Sequence, residues 1–447
     1  MSAELWNSAA HVLDDNWSGD HMVPSRRLYP HQWSWDTAFI AVGLAYVNPS
    51  RAWRDLRSLF EAQWPDGRVP HIVFDPATPE NNYFPGPAFW DVPAYGRRPA
   101  HGSTGIVQPP LHAVAAWEVY RHASAHGATC AHEARIELEW LYPRLVAQQE
   151  YLLVSRNLSG SGLAAIVHPW ESGLDNSPAW DAAMANVPAD MSLLATHRRR
   201  DLEVADATHR PTDVDYARYI GLVISYRDEG YSDSARHAFA VECPSFNTIL
   251  ASAELALAQI AGELGMPAEA DAHRERAHRI TTAIVKHLRN PATGTFHARD
   301  VRTGTLSPEH CVSGLIPLML PDLDPEHVEA IVAEARSPRF GLPEQTELPV
   351  PSYDRTAPGF DTLRYWRGPI WINMNWLLRR GLLVHGRMDE AEDLRTAMMR
   401  LVHRNGHFEY FHPISGKGLG APAFSWTAAL ALDLLADRSV PAYARAA

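Results

Sequence analysis

The sequence predicts an all-α fold, an (α/α)6 barrel, and three features carry that expectation. Apolar residues recur at helical spacing along most of the chain, most regularly in Phe246, Ile249, Leu250, Ala253, Leu257, Ile260 and Leu264. Helical patterns number roughly a dozen, against almost no alternating strand pattern. Short and long connections alternate, as they would for helical hairpins set in a ring. The acid and aromatic clusters, aromatic alone at 83–90 and 365–371 and joined by acids at 29–36, 170–181 and 408–412, all precede or open helices, so a ring would bring them to one mouth.

Taken in order, a short amphipathic helix at 4–16 ends at the turn cluster Asn16-Trp-Ser-Gly-Asp20. Ser34 reads as the cap of a helix over 37–47, with Trp33, Trp35 and Asp36 at the loop-to-helix junction and Asp36 free to cap or to bind hydroxyls. Trp53, Leu56, Leu59 and Phe60 form one stripe of a helix at 50–64. Periodicity then disappears from Pro65 to Gln108, where Asn82-Tyr-Phe-Pro-Gly-Pro-Ala-Phe-Trp-Asp91 is too aromatic for disorder and reads as a lid or pocket wall. Helices resume at 109–126 and at 133–155, the second interrupted by Pro143. A strand-like run, 163–168, delivers the chain to His168-Pro-Trp-Glu-Ser-Gly-Leu-Asp175-Asn-Ser-Pro-Ala-Trp180-Asp181.

Further helices follow at 213–228, 246–264, 277–288, 307–318, 324–336, 369–384, 388–403 and 423–436. Hairpin-like turns lie at 290–296 and 406–420, and a Pro-rich loop at 337–362. No shift in composition or charge marks a boundary. The expectation is therefore one catalytic domain over residues 1–447, with loop insertions at about 65–108 and 163–212 capping the pocket.

Composition narrows the function. The 46% hydrophobic and 21% charged residues are those of an ordinary globular protein, and a net charge of −12 with no basic run beyond Arg198-Arg199-Arg200 excludes nucleic acid as the main partner. Cys130, Cys243 and Cys311 are far apart and odd in number, against a disulfide framework or structural zinc. No run of about 18 apolar residues occurs and no basic segment precedes an apolar one at the N-terminus. The expectation is a cytoplasmic protein with no membrane partner, in which a homo-oligomer is possible. Fifteen Trp and fifteen Tyr, many in short polar loops, are what holding a polyhydroxylated ring requires.

Acids framed by indoles point to a semi-apolar pocket in which a carboxyl can stay protonated as a general acid; the alternative is a tight turn with capping acids and anchoring tryptophans. Glycoside hydrolysis needs one such acid and a second carboxylate to activate water or attack carbon. From the residues, Asp175 is the candidate acid and Glu409 the candidate base, with Glu171 and Asp36 as alternatives. A sugar isomerase or epimerase is the rival reading, with His31, His71, His168 and His407 as proton shuttles. A non-catalytic sugar-binding protein would keep the aromatic pocket without needing a second acid. A metal site built on His403, His407 and Glu409 is disfavoured because Gly406 interrupts the helix, and no cofactor is expected.

The motifs Gln32-Trp-Ser-Trp-Asp36, Tyr83-Phe-Pro-Gly-Pro87, Gln108-Pro-Pro110, Trp170-Glu-Ser-Gly-Leu-Asp-Asn-Ser-Pro178, Arg210-Pro211 with Tyr216, Tyr365-Trp-Arg-Gly-Pro-Ile-Trp371, Phe408-Glu-Tyr410 and Ser425-Trp-Thr-Ala-Ala429 resemble, in order, those of glycoside hydrolase family 63. Within it the bacterial mannosylglycerate and glucosylglycerate hydrolases are most similar. The Glu-Ser-Gly-x-Asp pattern also resembles trehalases of family 37. The resemblance implies an inverting, metal-free, exo-acting α-glycosidase acting on a small glycoside, on an (α/α)6 barrel. It implies Asp175 as general acid and Glu409 as general base, about 6.5–9.5 Å apart to admit a water. Glu171 is then structural. The resemblance further places Tyr29, Trp33, Trp35, Asp36, Tyr83, Trp170, Trp366 and Trp371 around the terminal sugar, and Gln108, Arg210, Tyr216 and Tyr365 near the leaving group. Phe424 departs from the pattern, standing where the glucosylglycerate hydrolases would carry Gln. An α-glucosidase acting on a small disaccharide is the alternative within the same chemistry.

Overall fold

Among the described residues, six helical hairpins close into a ring. The computed structural model describes residues 2–92, 102–125, 127–196, 199, 202, 206–234, 236–342 and 348–436. Parts of the expected insertions at 65–108 and 163–212, two arginines of the 198–200 cluster and part of the 337–362 loop lie outside the described residues. The inner ring runs Ser34–Leu44, His112–Ser124, Pro244–Glu263, the 3-10 helix Val312–Met319, Ile372–Val384 and Ser425–Ala436. Each packs on the next and the last packs on the first. The outer ring is Ser2–Asp15, Pro49–Phe60, Ala128–Val154, Pro267–Leu288, Pro325–Arg336 and Met388–Asn405, each on its inner partner. This is the expected barrel.

The two layers follow from residue pattern. Every residue of Ser34–Leu44 is buried, and so are all but the last of Ile372–Val384, because an inner helix touches protein on all sides; the polar residues it carries are paired inside, as Arg380 is with Glu118 and Asn375 with Val350. A Cβ on Gly43 would collide with the Ala429 carbonyl, so glycine lets the first and last inner helices meet backbone to backbone. Outer helices bury one stripe: Pro49–Phe60 turns Ala52, Trp53, Leu56, Leu59 and Phe60 inward.

Several expected details are corrected. Pro143 does not break its helix, which runs unbroken from Ala128 to Val154. One backbone hydrogen bond is forgone there, and the buried stripe of Ala134, Leu138, Leu141, Leu145, Tyr151 and Leu152 holds both halves to the barrel. Ser34 does not cap. Its hydroxyl bonds His112 Nε2 at 3.1 Å, and Trp33 occupies the cap position without a side-chain bond. Asp36 lies inside the first turn. The helix expected at 307–318 is a 3-10 helix from Val312, and the one expected at 277–288 starts at Pro267.

Strands are short and sit at the mouth. Gln32–Trp33 pairs with Ile72–Val73, and Ala165–Ile166 pairs with Val241–Glu242, which pairs with Arg299–Asp300. Tyr410–Phe411 pairs with Gly418–Leu419, the hairpin expected at 406–420. Asp213–Asp228, with a Thr212/Asp215 capping box, is not a member of either ring. No described helix is long and apolar enough to cross a membrane.

Candidate active site

The loops leading into the inner helices surround a cavity of about 350 Å³. Thirteen of the fourteen expected site residues line it: Asp175, Glu409, Tyr29, Trp33, Trp35, Asp36, Tyr83, Gln108, Trp170, Arg210, Tyr216, Tyr365 and Trp366. Trp371 does not. It stacks behind Trp366 at 3.8 Å and 5°, its indole N–H donating to the Tyr365 carbonyl at 3.0 Å, and so stiffens the wall from the rear.

Glu409 precedes the Tyr410–Phe411 strand and is almost wholly buried. Its Oε1 accepts hydrogen bonds from the hydroxyls of Tyr29 at 2.8 Å and Tyr365 at 3.0 Å, and its Oε2 accepts the Ala421 N–H at 3.0 Å. Three donors converging on one carboxyl fix its orientation. Arg210 Nη2 stands 3.8 Å from Oε2, and Nη1 donates to the Tyr29 oxygen at 3.0 Å. Arg210 is buried, yet its Nε and Nη2 have no hydrogen-bond partner. Tyr365 holds a left-handed backbone, φ 43°, as does Ala423 at φ 51°. For non-glycine residues that strain, on the order of 1–3 kcal/mol each, is typical of positions where function fixes geometry.

The acid loop is held from several sides. His168 Nδ1 accepts the Trp170 N–H at 3.0 Å, opening a 3-10 turn over Pro169–Ser172. Gly173 ends it at φ +70°, where a Cβ would strike the Trp35 ring. Asp175 follows, partly exposed, its carbonyl accepting the Tyr219 hydroxyl at 3.1 Å. Asn176 Oδ1 accepts the Trp366 N–H at 3.0 Å and Arg367 forks onto Asp181 at 2.9 and 2.7 Å, tying this loop to the 365–367 segment. Glu171 faces away from the cavity, clamped by Arg156 through two bonds of 2.7 Å and by the N–H groups of Val107 and Val167.

Asp36 enters from the helix start. Burial, then the charge of Glu409, then that of Asp175 raise its pKa well above the usual carboxylate range. Trp35 is set by its own N–H, which donates to Gln108 Oε1 at 3.1 Å. Tyr83 stands edge-on to Trp33 at 5.5 Å, Trp170 packs 6.3 Å from Tyr216, and the Tyr216 hydroxyl donates to the Phe84 carbonyl at 3.3 Å. Phe424 is buried, edge-on to Tyr29 at 5.9 Å.

Of the four histidines proposed as shuttles, only His71 lines the cavity, and burial pushes its pKa down to about 3. His31, His168 and His407 are held at about 4, also by burial, and their ring nitrogens serve Asp75, Trp170 with Tyr219, and Ser8. Among the described residues no group of three His, Cys, Asp or Glu is arranged to hold a metal ion. Reasoning from sequence missed Arg26, Arg27, Phe84 and Trp426, which also line the cavity. Trp426 and Phe84 stood in the quoted motifs; Arg26 and Arg27 had no signal, because an arginine pair in a loop is usually solvated surface.

Carboxylates set among indoles at the mouth of an α/α ring define the class of the protein, a glycoside hydrolase, and known proteins agree. The chain belongs to the mannosylglycerate hydrolase MGH1-like glycoside hydrolase family, whose domain matches residues 29–427. It is 40% identical over 438 residues to the mannosylglycerate hydrolase of Rubrobacter radiotolerans, covering 97% of each chain. It is 33% identical over 440 residues to the glucosylglycerate hydrolase of Mycolicibacterium hassiacum, covering 97% of this chain and 98% of that one. The crystal structure of a GH63 mannosylglycerate hydrolase from Thermus thermophilus, in complex with Tris and D-glycerate, superposes with a TM-score of 0.86 at 36% identity. The match covers 96% of this chain and 99% of that one.

Proposed function

We propose that the protein is an inverting, exo-acting α-glycosidase. Its substrate is the α-glucoside or α-mannoside of a small anionic aglycone, such as glucosylglycerate or mannosylglycerate. The observation that carries the reading is Arg210: a buried guanidinium beside Glu409, with two nitrogens lacking a hydrogen-bond partner, fits the carboxylate of an aglycone and serves a neutral sugar poorly. Relatives named for mannosylglycerate and glucosylglycerate, and a neighbour crystallised with D-glycerate, support it. The mouth loops and the ring act as one catalytic unit over residues 1–447, the stretches at about 65–108 and 163–212 supplying Tyr83, Gln108, Trp170, Asp175 and Arg210 to the cavity.

In this mechanism Asp175 gives its proton to the glycosidic oxygen as the bond to the anomeric carbon breaks. Glu409 takes a proton from a water that attacks that carbon from the opposite face, so an α-glycoside yields a β-sugar. The Tyr29 and Tyr365 hydroxyls and the Ala421 N–H orient the base. Asp36 and the indole walls of Trp33, Trp35, Trp170 and Trp366 bind the terminal sugar. Phe424 brings no polar atom to the leaving-group side, so recognition there rests on Arg210, Gln108 and Tyr216.

Proton NMR with glucosylglycerate, mannosylglycerate and α-linked disaccharides tests this. A β-anomer appearing before mutarotation from a glycerate glycoside is the expected result. An α-anomer first would make the reaction retaining and remove Glu409 as base. Cleavage of the disaccharides alone would point to an α-glucosidase, and a single isomeric product would restore the isomerase reading.

A further inference from the structure

The acid loop and the base are joined through the Tyr365–Trp366 peptide. The Tyr365 hydroxyl donates to Glu409 Oε1 at 3.0 Å, and the peptide that follows Tyr365 is held at both ends. Its carbonyl accepts the Trp371 indole N–H at 3.0 Å, and its N–H donates to Asn176 Oδ1 at 3.0 Å. Tyr365 stands at φ 43°, a left-handed backbone that persists when its surroundings fix it. Asn176 is the residue after Asp175; it is almost wholly buried and does not itself line the cavity. Arg367 adds further ties between the two segments, an exposed fork onto Asp181 and a partly buried Nη1 bond of 3.3 Å to the Asn176 carbonyl. Water screens an exposed ion pair, so the buried amide bond is the tie that sets the register. From the other side the Asp175 carbonyl accepts the Tyr219 hydroxyl at 3.1 Å, which fixes the loop to the 213–228 helix.

We propose that Asn176 is a positioning residue: through the Trp366 N–H it fixes where the acid Asp175 stands relative to the base Glu409. This role rests on the acid and base assignment above. In an inverting hydrolysis the acid meets the glycosidic oxygen while the base holds a water on the opposite face, so the two carboxyls must keep a set separation. Carboxyls on two different loops keep it when the loops are tied to each other, and Asn176 ties them from behind the cavity wall. With Ala at 176 the Trp366 N–H loses its acceptor, and the acid loop is released from the segment that carries Tyr365. Glu409 still accepts from the Tyr29 hydroxyl and the Ala421 N–H, so the base keeps its place. The defect therefore falls on delivery of the proton to the leaving group.

Leaving-group dependence tests this. Fluoride departs as a weakly basic anion without taking a proton, so hydrolysis of an α-glycosyl fluoride needs the base and its water but draws little on the acid. Rates are measured for whichever of glucosylglycerate and mannosylglycerate the wild type cleaves, and for the α-fluoride of the same sugar. Asn176→Ala should lower kcat for the glycerate glycoside about 10- to 100-fold with KM changed less than about threefold, the effect of a misplaced catalytic group. Its kcat for the fluoride should fall less than about threefold. The ratio of the two rates, taken on one preparation, does not depend on how much of the variant folds. Should Asn176→Ala not fold at all, Asn176→Ser, whose shorter side chain falls short of the Trp366 N–H, carries the same expectation. Equal losses for both substrates overturn the positioning role, because Asn176 then supports the pocket as a whole, and so does a glycoside rate left near that of wild type. Asp175→Asn is the reference for a lost acid and should show the same selective loss. If it slows fluoride and glycoside alike, Asp175 is not the acid, and the assignment on which the role of Asn176 rests fails with it.

Discussion

Two sets of buried arginine–carboxylate contacts lie at the same mouth of the ring and are built in opposite ways. Under the acid loop, Arg156 forks onto Glu171 at 2.7 and 2.7 Å and reaches Asp233 at 2.8 Å and the Tyr151 hydroxyl at 2.9 Å. Glu171 also accepts two backbone N–H groups. Both Arg156 and Glu171 are wholly buried. In the cavity, Arg210 makes one hydrogen bond, to Tyr29, and stands 3.8 Å from Glu409 with two nitrogens unpartnered. The residue types match and the saturation differs. A closed polar network locks loops together, whereas an open one holds a charge ready for a ligand that brings the missing partners.

Replacing the cavity carboxylates should break the second set without touching the first. Glu409→Gln and Asp175→Asn should each lower kcat about 10²–10⁴-fold with melting temperature nearly unchanged, read by NMR turnover and calorimetry. The reverse result, a large stability loss, would make these acids structural. Glu171→Gln should do the opposite. Leaving Arg156 with a weakened partner in the interior should cost about 3–5 kcal/mol of stability in urea unfolding, since one half of a buried pair is left uncompensated.

Arg210→Gln sharpens the contrast. It removes the charged hydrogen-bond donor proposed to take the aglycone, so kcat/KM for an anionic aglycone should fall by about 1.5–3 kcal/mol, roughly 10- to 150-fold, while a neutral α-glycoside changes far less. The most gradual effect concerns Asp55, an acid satisfied on one side only. Met22 N–H and Gln32 Nε2 donate to its Oδ1 at 2.9 and 2.8 Å, Oδ2 has no partner, and burial raises the pKa to about 8. The folded state then binds a proton that the unfolded state, titrating near the ordinary carboxylate value, has released, so stability falls as pH rises from about 4 to 8. Asp55→Asn lacks this titration, and its stability relative to wild type should grow by about 1 kcal/mol per pH unit across that window, measured by urea unfolding at pH 5, 6 and 7.

Much of the site was legible because its residues are conspicuous where they stand. Trp33, Trp35 and Trp170 stand close to acids and Trp366 beside Tyr365 and Arg367, all in turn-rich loops, a pattern that neither a core nor a solvated loop produces, and all four line the cavity. Trp371 carried the same signal from the same segment. Its place one layer behind Trp366 depends on how the chain turns at Tyr365, whose left-handed backbone no local pattern announces. Glu171 and Asp175, four residues apart, looked alike in composition. The Gly173 turn sends one to Arg156 and the other to the cavity.

By itself the sequence determined the hairpin ring and its loops, because helical periodicity and all-round apolarity are properties of adjacent residues. The unbroken helix through Pro143 and the raised pKa of Asp36 came only with the tertiary structure, as did the joining of Arg210, Tyr29 and Glu409. Each is decided by packing or charge among residues tens to hundreds of positions apart, and such long-range contacts leave no trace in a local window of sequence.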